Sequence, residues 1–269
     1  MANTGEAGQA QRAVKTRIDG AVLEVVLERP RANAIDAATS REMGRVFAGF
    51  RDDPALRVAI ITGGGGQFFC AGWDLKAAAE GEAATADFGV GGFGGLQELP
   101  HLNKPVIAAV NGIACGGGLE LAMSADLIIA AECARFALPE INAGTLADAA
   151  TIKLPRRIPH HIAMEMLLTG RWMDADEARG WGLVNQVVAA EELLPRARAL
   201  AAQLAQGPPL VFAAIKESIR VAETLSTQQA FDMLREQRLA TVKTLYQSED
   251  MREGARAFNE KRAPVWKGR

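Results

Sequence analysis

Short apolar runs and helical spacings take turns along this chain. Val14-Lys-Thr-Arg-Ile18 and the stretch from Ala21 to Glu28 predict two strands. Asp19-Gly20 joins them, a dipeptide that favours hairpin turns with positive φ, and Arg29-Pro30 ends the second. From Ala37 to Phe50 the apolar positions fall at helical spacing, with Met43, Val46, Phe47 and Phe50 on one side. Three short continuous apolar runs follow: Arg57 to Ile61, Pro105 to Val110 and Asp126 to Ala131. Runs without alternation predict strands covered on both faces. Each leads into glycine-rich or small residues and then a helical segment, so the expected fold class is α/β.

The stretch from Ala77 to Leu99 breaks the pattern. It is rich in Gly and Ala, with Phe88 and Phe93 set among glycines. Such a length of weak periodicity suits a lid or binding loop, with a mobile surface loop as the alternative. From Glu191 the pattern turns helical, with Leu193, Leu194, Ala197, Leu200, Ala201 and Leu204 on one face. Gly207-Pro208-Pro209 interrupts it, and three helices are expected to follow. The expected organisation is a tail over 1–13, a core with the site over 14–200, and a C-terminal helical region over 201–269 for oligomerisation and coenzyme capping.

The 269 residues are 49% hydrophobic and 23% charged, with a net charge of −2. That balance suits a soluble globular protein and removes the electrostatic case for a nucleic-acid or membrane-surface binder. Three cysteines without paired spacing suggest a reducing compartment, and a cytoplasmic protein is expected. The start, Met1 to Val14, is polar rather than signal-like.

Several motifs fail on context. Gly89 to Gly94 matches G-x-G-x-x-G, but no buried strand precedes it. Gly63 to Gly66 lacks the Lys-Ser/Thr of a phosphate loop. His101, His160 and His161 have no zinc-ligand spacing to Cys70, Cys115 or Cys133. No Gly-x-Ser-x-Gly elbow exists. Neither metal nor Ser-His chemistry is expected.

Three segments remain: Phe69 to Leu75, Asn111 to Leu121 and Arg135 to Ile141. Glycines 116 to 118 allow close approach of a ligand to backbone and lead into a predicted helix, Leu119 to Ser124. A second N–H from the Gly72-Trp73 turn would complete an oxyanion-binding pair. Glu120 lies in an apolar run where an idle carboxylate is costly; a first-turn acid answering the helix dipole is the alternative. Taken alone, Glu140 reads as a solvent-facing loop acid. If both flank one substrate, they form an acid/base pair.

Together, Arg29-Pro-x-x-Asn33, Phe69-Cys-Ala-Gly-Trp-Asp74, Asn111-Gly with Gly116-Gly-Gly-x-Glu120, Phe136-Ala-Leu-Pro-Glu140 and Gly180-Trp-Gly-Leu-Val-Asn185 resemble the enoyl-CoA hydratase/isomerase superfamily, the crotonases. The resemblance runs from about Ala21 to the C terminus. It implies a spiral of ββα units with a C-terminal helical region, assembled as a trimer or dimer of trimers. It also implies Trp73 and Gly117 as oxyanion-hole amides and Glu120 and Glu140 as the catalytic pair. Coenzyme A would arrive within the substrate, with no separate cofactor, nucleic acid or membrane partner.

Gly72 to Ala83, Asp87-Phe-Gly with Gly91 to Phe93, and the ending Glu260 to Arg269 narrow the resemblance. They resemble the branch that hydrates crotonobetainyl-CoA reversibly to L-carnitinyl-CoA. Its substrate carries a trimethylammonium group, for which Trp73, Phe88 and Phe93 are candidate aromatic walls; filling hydrophobic gaps is their alternative role. Ala71, Asp74 and Gly116 join the implied substrate contacts, and Arg29, Lys76 and Lys261 are candidates for the coenzyme's phosphates or adenine. An isomerase, another CoA-thioester enzyme and a non-catalytic member of the fold remain alternatives. One stretch departs from the family. Gly144-Thr-Leu-Ala-Asp-Ala-Ala-Thr151 has Ala147 for a proline and Ala149-Ala150 for glycine, so backbone relying on positive φ must differ there.

Overall fold

The computed structural model describes residues 12–269, so the expected tail lies almost wholly outside the described residues. The predicted hairpin forms as β1 (Val14–Asp19) and β2 (Val22–Leu27), with Gly20 at φ 55° in its turn. Helix α1 (Ala37–Asp52) starts where the Asp36 carboxylate accepts the Thr39 N–H at 2.7 Å, and it buries Met43, Phe47 and Phe50.

Then a unit recurs three times. Strand β3 (Val58–Gly63) is followed by β4 (Phe68–Cys70) and helix α2 (Leu75–Ala79). Strand β5 (Val106–Val110) is followed by β6 (Ile113–Cys115) and α3 (Gly117–Met123). Strand β7 (Leu127–Ala131) is followed by β8 (Arg135–Ala137) and α4 (Glu140–Ala143). The first strand of each unit joins one sheet and the second strand another, the ββα spiral that the family resemblance implies. Next come α5 (Asp148–Lys153), α6 (His160–Thr169), β9 (Met173–Asp174), α7 (Ala175–Gly180) and β10 (Gln186–Val188).

The larger sheet has the order β1-β2-β3-β5-β7-β10, parallel except for the hairpin; the smaller is β4-β6-β8-β9. The three apolar runs divide by alternation between two cores. Ala59, Ile61, Ala108, Val110 and Ala130 face the interior. Val58, Ile60, Ile107, Ala109 and Ile129 face helix α8 (Leu193–Ala205), whose Leu193, Ala197 and Ala201 form one buried stripe. Both faces are therefore apolar, which is why no alternation shows in the sequence. Because α8 belongs to this core, its helix runs through residue 200, the expected end of the core.

Beyond it lie α9 (Pro209–Ala222), α10 (Thr227–Arg235), α11 (Ala240–Gln247) and α12 (Glu249–Glu260), four helices against the expected three. The extra boundaries are set by polar caps. Ser226 and Gln229 make a capping box at α10, and the Ser248 hydroxyl accepts the Met251 N–H at α12.

Three asparagines of the recognised motifs are staples between strands and loops. Asn33 donates to Gly64 O and Phe68 O and accepts from Arg29 N, each at 2.9 Å. Asn111 accepts the Gly63 N–H at 3.0 Å and donates to Gly65 O at 2.9 Å. Asn185 accepts the Ile128 N–H at 2.7 Å. Each satisfies backbone groups that a strand end leaves unpaired.

Candidate active site

The turns after β4 and β6 meet. At Gly72, φ is +88°, and a Cβ there would lie 2.9 Å from both Gly117 N and Cys115 O. Only glycine permits this approach and this backbone conformation. Among the described residues, neither the Trp73 N–H nor the Gly117 N–H donates a hydrogen bond. Both residues line a cavity of about 440 Å³.

Glu120 and Glu140 line the same cavity. Glu120 enters from α3, all seven residues of which are buried, and is itself 7% exposed. Its Oε1 accepts the Ala150 N–H at 2.8 Å and its Oε2 the Gln97 side-chain amide at 3.4 Å. Burial raises its pKa, and those two hydrogen bonds act against the rise. Glu140 begins α4, and a Cβ at Gly116 would lie 2.7 Å from its Oε1. Its Oε2 is buried without a hydrogen-bond partner among the described residues. Burial pushes the Glu140 carboxyl up to about 7, and the negative charges of Glu120 and Asp148 push the same way.

The expected Ala77–Leu99 binding loop forms one wall. Phe88 and Phe93 line the cavity, with rings edge to face at 5.5 Å and 74°. Phe93 packs so tightly on Gly117 that a Cβ there would overlap its ring. The loop is anchored rather than loose: Gly94 N–H donates to Ser40 Oγ at 3.1 Å, and Leu96 and Leu99 are buried. Trp73 also lines the cavity, but its indole N–H is bound to Glu82 Oε1 at 2.8 Å.

Of the remaining candidates, Ala71 and Gly116 line the cavity; Arg29, Asp74, Lys76 and Lys261 do not. The Arg29 guanidinium donates to Ala34 O and pairs with Asp36 at 2.7 Å and Asp74 at 3.3 Å. Asp74 caps α2, accepting from Lys76 N at 3.0 Å. Lys76 is exposed, 3.8 Å from Glu80, and Lys261 forms the left-handed cap of α12 at φ 53°. Cys70 and Cys115 flank the two turns as neutral thiols, pushed by burial up to about 12 and about 11, which suits packing rather than nucleophilic chemistry.

Sequence reading missed Gln97, Ala150 and Glu82. Ala150 lies in the stretch that departs from the family. Of residues 144–151 only Gly144 has positive φ, at 67°, while Ala149 and Ala150 are helical within α5. That helical turn aims the Ala150 N–H at Glu120.

Residues 17–269 match the Enoyl-CoA hydratase/isomerase family. The chain is 58% identical over 251 residues to the carnitinyl-CoA dehydratase of Proteus mirabilis, covering 93% of this chain and 96% of that one. It is 56% identical over 252 residues to the carnitinyl-CoA dehydratase of Salmonella typhi, covering 93% and 97%. Among solved structures, an enoyl-CoA hydratase from Mycobacterium marinum superposes with a TM-score of 0.87 at 38% identity, covering 96% of this chain and all of that one.

Proposed function

This chain belongs to the enoyl-CoA hydratase/isomerase family, and from that premise we propose that it reversibly adds water to crotonobetainyl-CoA to form L-carnitinyl-CoA. The observation that supports this most is that one cavity is lined by two residues whose backbone N–H groups donate to no partner among the described residues and by two carboxylates. The thioester oxygen sits between Trp73 N–H and Gly117 N–H. As water attacks the β-carbon, negative charge moves onto that oxygen, between the two donors. One such donor is worth roughly 3–4 kcal/mol in a transition state.

The two carboxylates divide the work by environment. Glu120 holds two hydrogen bonds that favour its charged form, so it takes the proton from water. Glu140 has a bare buried oxygen and a pKa raised to about 7, so it is available protonated and delivers its proton to the α-carbon. The new bonds are C–O at the β-carbon and C–H at the α-carbon, and the enolate charge returns from oxygen to close the sequence. Dehydration runs the same steps backwards with the roles exchanged. Proton exchange with solvent resets both groups.

A trimer or dimer of trimers and a cytoplasmic location complete the reading. Exposed Phe231, Tyr246 and Phe258, one on each of α10, α11 and α12, support apolar contact of the C-terminal helices with another copy. No helix among the described residues is long and apolar enough to cross a membrane.

Loss of enoyl absorbance on adding enzyme to crotonobetainyl-CoA, with crotonyl-CoA in parallel, tests the activity. Glu120→Gln and Glu140→Gln are each expected to cut turnover on the order of 10²–10⁴-fold. A product with a shifted double bond and no hydroxyl, or near-wild-type rates in both variants, would overturn the reading.

A further inference from the structure

The cavity carries a charge imbalance that the hydration chemistry does not use. Glu98, Glu120, Glu140 and Asp148 all line it, and no lysine, arginine or histidine among the described residues does. Glu120 and Glu140 are the proposed acid/base pair; of the two exposed acids that remain, Glu98 and Asp148, Asp148 is the one on the helix that binds Glu120. Among the described residues the Asp148 carboxylate makes no hydrogen bond or ion pair, although it opens α5 and lines the cavity. The lysine on its own helix, Lys153, is turned to Gln97 O at 3.3 Å and Ser124 Oγ at 3.2 Å.

Position relative to the reacting groups gives this carboxylate a use. Ala150, two residues further along α5, binds Glu120 through its N–H, so the start of this helix lies at the reacting end of the cavity. The charge of Asp148 is felt at both Glu120 and Glu140. In the proposed substrate the trimethylammonium nitrogen sits on the carbon next to the one that water attacks, so the cation must stand beside the same two acids. It has no N–H and forms no hydrogen bonds. It is recognised through space, by negative charge and by aromatic faces such as those of Phe88 and Phe93.

Resting on that substrate reading, we propose that Asp148 is a specificity-determining residue, a carboxylate that makes the acyl end of the cavity selective for a fixed positive charge. A neutral acyl group gains nothing from it.

The test is the ratio of kcat/KM for crotonobetainyl-CoA to that for crotonyl-CoA, in the full-length enzyme and in Asp148→Asn, Asp148→Lys and Asp148→Glu. Both substrates meet the same free enzyme, so a change in the pKa of the glutamates cancels in the ratio, and Asp148→Glu separates loss of charge from a shift of α5. Asp148→Asn is expected to lower the ratio on the order of tenfold, the size of one partly screened charge pair. Asp148→Lys lowers it further, and Asp148→Glu restores most of it. A ratio within about twofold of wild type in both Asn and Lys variants, or equal loss of both activities, overturns the role of Asp148 alone. A wild-type enzyme that hydrates crotonyl-CoA but not crotonobetainyl-CoA overturns the substrate reading and this inference with it.

Discussion

Trp73 and Glu82 are joined side chain to side chain, the indole N–H donating to the carboxylate at 2.8 Å. The other Glu82 oxygen accepts the Ala37 N–H at the start of α1 with a separation of 2.9 Å. One carboxylate thus ties the residue whose backbone N–H faces the cavity to the long helix behind it. Glu82→Ala is expected to lower kcat roughly 10- to 100-fold, because a donor misplaced by about 1 Å loses that much. Glu82→Gln keeps one acceptor for the indole and should recover part of the rate. Steady-state kinetics with a thermal melt checks this; an unchanged kcat in Glu82→Ala would remove Glu82 from the site.

Gly72→Ala tests the meeting of the two turns. The new Cβ would sit 2.9 Å from Gly117 N at a backbone φ of +88°, so one turn must move. The expected result is a folded protein with kcat down on the order of 10²–10³-fold, the cost of one lost oxyanion donor. Gly65, at φ 75° with open space around it, is the control; Gly65→Ala carries the backbone strain without the clash and should leave kcat near wild type.

The pH dependence follows from Glu140, raised from 4.5 to about 7 by burial first and then by Glu120 and Asp148. As the proposed proton donor in hydration it acts in its protonated form, so kcat/KM for hydration is expected to fall as pH rises through about 7. For dehydration the same group must be charged, and the rate rises over that range. The limb belongs to the coupled pair, since Glu120 is raised as well. Stability moves with pH too. A carboxyl raised on folding contributes fully below its unfolded value of 4.5, and that contribution is lost by about 7. Glu140→Gln cannot charge, so its melting temperature should gain on wild type between about pH 5 and about pH 8. A constant difference across that range would contradict the raised value.

Arg29 joins the caps of two helices, through Asp36 at the start of α1 and Asp74 at the start of α2. Lysine has one point of charge and cannot span both. Arg29→Lys is expected to lower thermal stability, by roughly 1–3 kcal/mol, together with kcat, while KM for the acyl-CoA moves little. A rise in KM with kcat and stability kept would instead place the guanidinium on the coenzyme's phosphates.

Much of the larger sheet was legible because its strands are covered on both faces. Val58 to Ile61 and Val106 to Val110 have no polar side to hide, and a short apolar run that ends at a glycine-bearing turn has few other uses. The strands of the smaller sheet were not legible. Phe68–Cys70, Ile113–Cys115 and Arg135–Ala137 are three residues each, too short to carry a period. The C-terminal helices were undercounted because their boundaries depend on serine caps rather than on glycine or proline. Around the site, Gly116, Gly117 and Glu120 stood out by residue type, since a run of glycines and an acid in an apolar run each need a reason, whereas Glu140 was marked only by the resemblance. Gln97 and Glu82 did not stand out, being ordinary polar residues in a long loop.

The strands of the larger sheet and the glycines at the two turns were legible in the sequence alone, because each depends on neighbours a few residues away. Which groups meet was decided by the tertiary structure. Glu120 reaches the Ala150 N–H 30 residues on, Trp73 reaches Glu82 nine residues on, and Asp148 lines the same cavity with no hydrogen-bond or ion-pair partner among the described residues. Those relations arise only when the turns of the spiral stack, since charge and hydrogen bonding act over ångströms of space and take no account of distance along the chain.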